Sequence, residues 1–172
     1  MESTENLILV PTDYTEVADC AINHALKLAA ILQGKISLLH VVAKEEEIKP
    51  NQEKLQKIAD ELQKTHIIKV NPIIKLGNIF DDIGGVAKEI NARLIIMGTH
   101  GVKGFQHITG SYAIKVITNS STPFIVVQKR KIRDGYGNIV LPMDMTKETK
   151  QKVDLTIKIA QYFKSKVHIF TP

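Results

Sequence analysis

The densest chemistry in the chain lies in the run Ile95-Ile-Met-Gly-Thr-His-Gly-Val-Lys-Gly-Phe-Gln-His-Ile-Thr-Gly-Ser-Tyr112. It joins the end of an apolar segment to the expected start of a helix. Gly98, Gly101 and Gly110 permit positive φ and close backbone approach, and Ser111 brings a hydroxyl and an N–H to a first helical turn. Unpaired N–H groups at a helix start favour an anion, so these residues suit a phosphate cradle. They suit a plain loop equally, with glycines at turns and Ser111 as a cap, and glycine count does not separate the two. A second candidate is Asp13, in Pro11-Thr-Asp13. An aspartate after a strand can meet a ligand or cap the next helix, and Thr15 beside it can share the capping.

Other reaction chemistries lack their residues. The chain has no G-x-x-x-x-G-K-[ST] loop, no G-x-G-x-x-G after its first apolar run, no H-E-x-x-H and no paired cysteines. It has no G-x-S-x-G elbow to present a nucleophilic serine. His40 stands at a strand end, and His100 and His107 in the glycine run, without a carboxylate motif to pair them as general bases. Cys20 falls in a helical region far from any activating loop, which suits a small buried hydrophobe.

These residues belong to a chain of 172 residues, 44% hydrophobic and 24% charged, with enough apolar content for a packed core. No apolar run approaches the roughly 18 to 20 residues that cross a bilayer. The start, Met1-Glu-Ser-Thr-Glu5, is acidic rather than a basic leader, so a cytoplasmic protein without a membrane partner is expected. A single cysteine excludes an internal disulfide framework and a cysteine-rich zinc site. The net charge of +5 is uneven: residues 1–128 carry 13 Lys and Arg against 14 Asp and Glu, and residues 129–172 carry 10 against 4. With 5% aromatics and no tryptophan, this neutral main body lacks the basic, aromatic-lined face of a nucleic-acid reader.

The elements that must position the candidates follow from hydrophobic period. Asn6 to Asp13 is a continuous apolar run closed by Pro and Asp, the pattern of a strand covered on both faces. From Thr15, Ala18, Ile22, Ala25, Ala29 and Leu32 recur at helical steps, with Gly34 at the place of a helix C-terminal glycine. Lys35–Val42 reads as a second strand and Leu55, Ile58, Ala59 and Leu62 as one face of a helix. Val70–Leu76 is a third strand, placed at a sheet edge by Pro72. Gly77-Asn78 opens a helix with Ile79, Ile83, Val86, Ala87 and Ile90 on one face, weakened by Gly84-Gly85. Arg93–Met97 is a fourth strand, Gly110–Asn119 a helix and Pro123–Gln128 a fifth strand. Alternating strands and helices predict an α/β fold, a doubly wound open parallel sheet with right-handed crossovers.

Past a basic linker at residues 129–137 the sequence repeats itself. A shift of 131 positions lays Ile8-Leu-Val-Pro-Thr-Asp13 on Ile139-Val-Leu-Pro-Met-Asp144, Leu26-Lys-Leu-Ala29 on Ile157-Lys-Ile-Ala160, and Lys35-Ile on Lys166-Val. Residues 1–128 are therefore expected to be one complete domain and residues 138–172 the β-α-β opening of a second. Such a piece exposes a strand edge and a helix face, so either the sequence is part of a longer tandem protein or the piece completes a sheet in another molecule.

Several of these motifs together resemble the universal stress protein family: Pro11-Thr-Asp13, Leu39-His-Val-Val42, Ile96-Met-Gly-Thr-His-Gly101, Gly110-Ser111 and Ser121-Thr-Pro-Phe-Ile-Val-Val127. The resemblance implies strand order 3-2-1-4-5, an adenine nucleotide alpha hydrolase-like arrangement, and a stress-response regulatory protein. It also implies a site for ATP or another adenine nucleotide, with Mg as an accompanying ion, at the C-terminal ends of the strands. The site would draw on Pro11, Thr12, Asp13, Val41, Met97, Gly98, His100, Gly101, Lys103, Gly110, Ser111 and Tyr112. Within it, Asp13 and the backbone at Val41 receive adenosine; Gly98, Gly101, Gly110 and Ser111 receive ribose and phosphates; Lys103 offers a charge. The family pattern of G-x-x-G, nine residues, then G-S or G-T is met here with eight, which changes where the loop N–H groups point. The resemblance further implies a homo-oligomer, or tandem domains paired through the fifth strand. The alternatives are an assembly module of the same fold that has lost the nucleotide, and slow ATP hydrolysis.

Overall fold

A computed structural model describes residues 6–99, 110–129, 136–143 and 147–171. The chain divides into two compact units, Met1–Arg130 and Lys131–Pro172. The first contains β1 (Leu7–Pro11), α1 (Glu16–Leu32), β2 (Lys35–Val42), α2 (Ile48–Thr65), β3 (Val70–Leu76), α3 (Ile79–Glu89), β4 (Leu94–Gly98), α4 (Gly110–Thr118) and β5 (Phe124–Val127). All its strand pairs are parallel, in the order β3-β2-β1-β4-β5, as alternation and resemblance lead one to expect.

The continuous apolar runs explain the layering. Every residue of Ile8–Val10 and Leu94–Met97, with Ile36, Leu38 and Leu39, is at most 3% exposed, so both faces of the central strands are covered. Leu9, Leu39, Ile95 and Met97 pack with Ile83, Val86 and Ala87 of α3 and Val116 of α4. The intervening residues turn to the opposite face, where α1 and α2 pack on β1 and β2. β3 is an outer strand, which tolerates Pro72 opposite Leu38.

One expectation needs correction. The left-handed residue that ends α1 is Gln33, at φ 50°, not Gly34. Gly34 has another reason to be glycine: a β-carbon there would run into the Asn6 main chain. Its own N–H donates to the Ala29 carbonyl at 2.8 Å, and Lys35 N–H donates to the Asn6 carbonyl at 3.0 Å.

The second unit holds β6 (Asn138–Pro142), α5 (Lys147–Phe163) and β7 (Lys166–Phe170), with the two strands parallel. Its geometry repeats that of the first unit at the same shift of 131. Asn138 pairs with Lys166 as Leu7 does with Lys35, and Pro142 with Phe170 as Pro11 does with Leu39. Met143 N–H donates to Phe170 O at 2.8 Å, matching Thr12 to Leu39, and Lys164 is left-handed at φ 52°, matching Gln33. Burial does not repeat. Val140, Ile169 and Phe170 are 66%, 65% and 60% exposed, whereas their counterparts Leu9, Leu38 and Leu39 are at most 1% exposed. Asp144, the counterpart of Asp13, lies outside the described residues.

Candidate functional site

The first unit opens where its strand order reverses. β1 follows β2 as far as Pro11 opposite Leu39, and Thr12 N–H extends that ladder to Leu39 O at 2.8 Å. β4 follows β5 as far as Gly98 opposite Val127, and Thr99 N–H extends it to Val127 O at 2.8 Å. Between β1 and β4 the pairing comprises only Ile8–Leu94 and Leu9–Ile95. The β1–β4 ladder thus ends at Leu9 and Ile95, at the reversal of strand order beyond whose carboxyl ends open α/β sheets take ligands. Leu39 directs its carbonyl toward β1. By the two-residue alternation, Val41 turns its N–H and C=O the same way, past the end of β1.

The turn from β1 to α1 is tied by its own side chains. Tyr14 N–H donates to Thr12 Oγ1 at 3.1 Å, and Thr15 N–H to Asp13 Oδ1 at 3.1 Å. The Thr15 hydroxyl donates to the same Oδ1 at 2.6 Å and accepts from Ala18 N–H at 3.4 Å, which makes Thr15 the N-cap of α1. Asp13 therefore holds the cap through Oδ1. Its exposed Oδ2 has no partner among the described residues.

Tyr14 stands at φ 63°, a conformation that costs a non-glycine residue about 1–2 kcal/mol. Its ring lies 4.5 Å from the His40 imidazole, the Lys54 ammonium sits 3.7 Å from the ring centre, and its hydroxyl donates to Asn51 O at 3.4 Å. Burial raises the phenol pKa above its ordinary value. His40 Nδ1 lies 2.8 Å from the Thr12 carbonyl oxygen. A carbonyl only accepts, so Nδ1 carries the proton.

The remaining predicted residues divide by place. Pro11 and Thr12 close β1, with Thr12 only 7% exposed. The Met97 side chain, 1% exposed, belongs to the core beneath α3 and α4, so only its backbone stands at the strand end. Gly98 ends β4 against Val17 of α1. Gly110, Ser111 and Tyr112 occupy the first turn of α4, where N–H groups lack intrahelical partners. His100, Gly101 and Lys103 lie outside the described residues. Lys129, just past β5, forms an exposed ion pair with Glu16 in the first turn of α1 and lowers the Glu16 carboxyl pKa through hydrogen bonding and charge. Among the described residues no three His, Cys, Asp or Glu side chains cluster as a metal site, and no helix is long and apolar enough to cross a membrane. Sequence reasoning missed Tyr14 and Lys54. Their separation of 40 residues leaves no periodic trace, and only the Asp13-Tyr14 junction itself marked the place.

Residues 6–128 match the family model described as the universal stress protein family. The chain belongs to the universal stress protein family. It is 28% identical over 155 residues to universal stress protein MJ0577 of Methanocaldococcus jannaschii, covering 72% of this chain and 94% of that protein. The solved structure of MJ0577 superimposes with a TM-score of 0.60 at 29% identity, covering 76% of this chain and all of that one. A universal stress protein from Archaeoglobus fulgidus DSM 4304 superimposes with a TM-score of 0.61 at 23% identity over 73% of this chain and 45% of that one, which makes the matched part less than half of the longer molecule. Another from Archaeoglobus fulgidus, solved in complex with dAMP, gives a TM-score of 0.56 at 20% identity over 71% and 96% of the two chains.

Proposed function

We propose that this chain is a cytoplasmic stress-response regulatory protein that binds an adenine nucleotide, ATP in particular, at the carboxyl ends of β1 and β4. The end of the β1–β4 ladder at Leu9 and Ile95, where the strand order reverses, carries the reading, because Asp13 follows β1 and Val41 lies near the end of β2 on that side of the sheet. The dAMP complex of the Archaeoglobus fulgidus relative supports the ligand class. Asp13 Oδ2 and the Val41 backbone take the adenosine. Gly98, Gly101, Gly110 and Ser111 take ribose and phosphates, with Lys103 as a charge and Mg travelling on the phosphates. Nucleotide regulates by favouring one assembly through the β5 edge, where Val126 is 42% exposed. The test is to denature the purified protein, analyse the released small molecules for adenine nucleotide, and titrate ATP into wild type, Gly110→Ala and Ser111→Ala. The absence of both released nucleotide and titratable binding by wild type would remove the reading. Unchanged affinity in both variants would instead move the phosphates elsewhere.

We infer further that residues 138–172 are the N-terminal part of a second domain of this kind. Support comes from the identical strand register at a shift of 131 and from the exposure of Val140 and Phe170 where Leu9 and Leu39 are buried.

A further inference from the structure

Tyr14 holds a left-handed conformation in a turn that the side chains of Thr12, Asp13 and Thr15 tie locally, and contacts from other elements hold it as well. A backbone in this region persists only where surrounding contacts over-determine it. Beyond the turn's own hydrogen bonds, two other elements supply such contacts: the His40 ring from β2 at 4.5 Å, and the Lys54 ammonium, at 3.7 Å, and the Asn51 carbonyl from α2. His40 also donates from Nδ1 to the carbonyl of Thr12, two residues before Tyr14, so one imidazole secures both ends of the Thr12–Tyr14 step. Between these anchored residues lies Asp13, with Oδ1 directed to Thr15 and Oδ2 exposed.

We propose that Tyr14, held by His40 and Lys54, is a positioning residue for nucleotide: it fixes the turn that aims Oδ2 of Asp13 toward the carboxyl ends of β1 and β4. This rests on the adenine-nucleotide reading above. Tyr14 acts through Asp13 and touches no ligand. Its phenol oxygen contributes little, since its one hydrogen bond among the described residues is long at 3.4 Å. The ring supplies the clamp. His40 performs the same service from the other side and is the second positioning residue.

A double-mutant cycle on the full chain tests this, with ATP affinity read by calorimetry. Tyr14→Phe is expected to bind as wild type, because the ring contacts remain. Tyr14→Ala is expected to weaken binding about tenfold in the wild-type background and less than about twofold in an Asp13→Asn background, because the effect passes through Asp13. His40→Ala follows the same pattern. Tyr14→Gly, which adopts positive φ without strain, keeps the test informative if Tyr14→Ala folds poorly: it should lie between Phe and Ala in affinity. Additive losses in the cycle, or a Tyr14→Ala affinity equal to wild type while Asp13→Asn is weakened, would overturn the positioning role and leave nucleotide binding intact. Absence of ATP binding by wild type would overturn both.

Discussion

Gly98 at the end of β4 lies so close to Val17 of α1 that a β-carbon on it would stand 2.5 Å from the Val17 carbonyl oxygen and 2.6 Å from its Cγ1. The sequence motif that suggested a phosphate-facing glycine therefore also marks a close strand–helix contact. Gly98→Ala should cost about 1–3 kcal/mol of stability, because backbone on both sides must shift to admit one methyl. Urea unfolding measures it, and a variant as stable as wild type would show that the contact is loose.

Gly84 and Gly85 of α3 should respond differently to alanine. At Gly84 the new carbon would meet Ser120 Cβ at 3.0 Å and the Asn119 carbonyl at 3.1 Å, whereas at Gly85 it meets nothing within 4 Å. Gly85→Ala should stabilise the chain by about 0.5–1 kcal/mol through helix propensity, and Gly84→Ala should lose that gain to crowding. Thermal melting of the two variants side by side checks the contrast, and equal shifts would contradict it.

His24, half-buried in α1, has a pKa held below the ordinary imidazole value by burial, which outweighs the raising effect of its hydrogen bond with Cys20 O, and Lys27 adds a still smaller lowering. The folded state thus binds this proton less readily than the unfolded state. Its contribution to stability is present above the unfolded pKa of about 6.5 and is lost as pH falls through the lower folded value. His24→Gln should flatten the fall in stability on acidification below about pH 6.5. An acid profile identical to wild type would exclude His24 as a source of it.

Exposure separates the two units as targets of mutation. Leu9→Ala should destabilise the first unit by about 2–5 kcal/mol, while Val140→Ala, its counterpart by repeat, should change stability by less than about 0.5 kcal/mol. Hydrogen exchange should likewise release the amides of β6 and β7 before those of β1 and β2. Protection of β6 equal to that of β1 would mean that the exposed face is covered in solution.

The sequence by itself determined the elements and their class. Strands read from continuous apolar runs and helices from a 3.6-residue period, because both signals are local, and Pro72 marked an outer strand because a missing N–H is a local fact. The repeat was legible for the same reason. Tertiary structure alone decided how close the chain approaches itself. It made Gly34 necessary against Asn6, gave the left-handed turn to Gln33, and placed Gly98 against Val17. It also ended the β1–β4 ladder after two residue pairs and brought His40 and Lys54 to Tyr14. These are contacts between residues tens of positions apart, set by the packing of whole elements, and no local pattern of side chains encodes such distances.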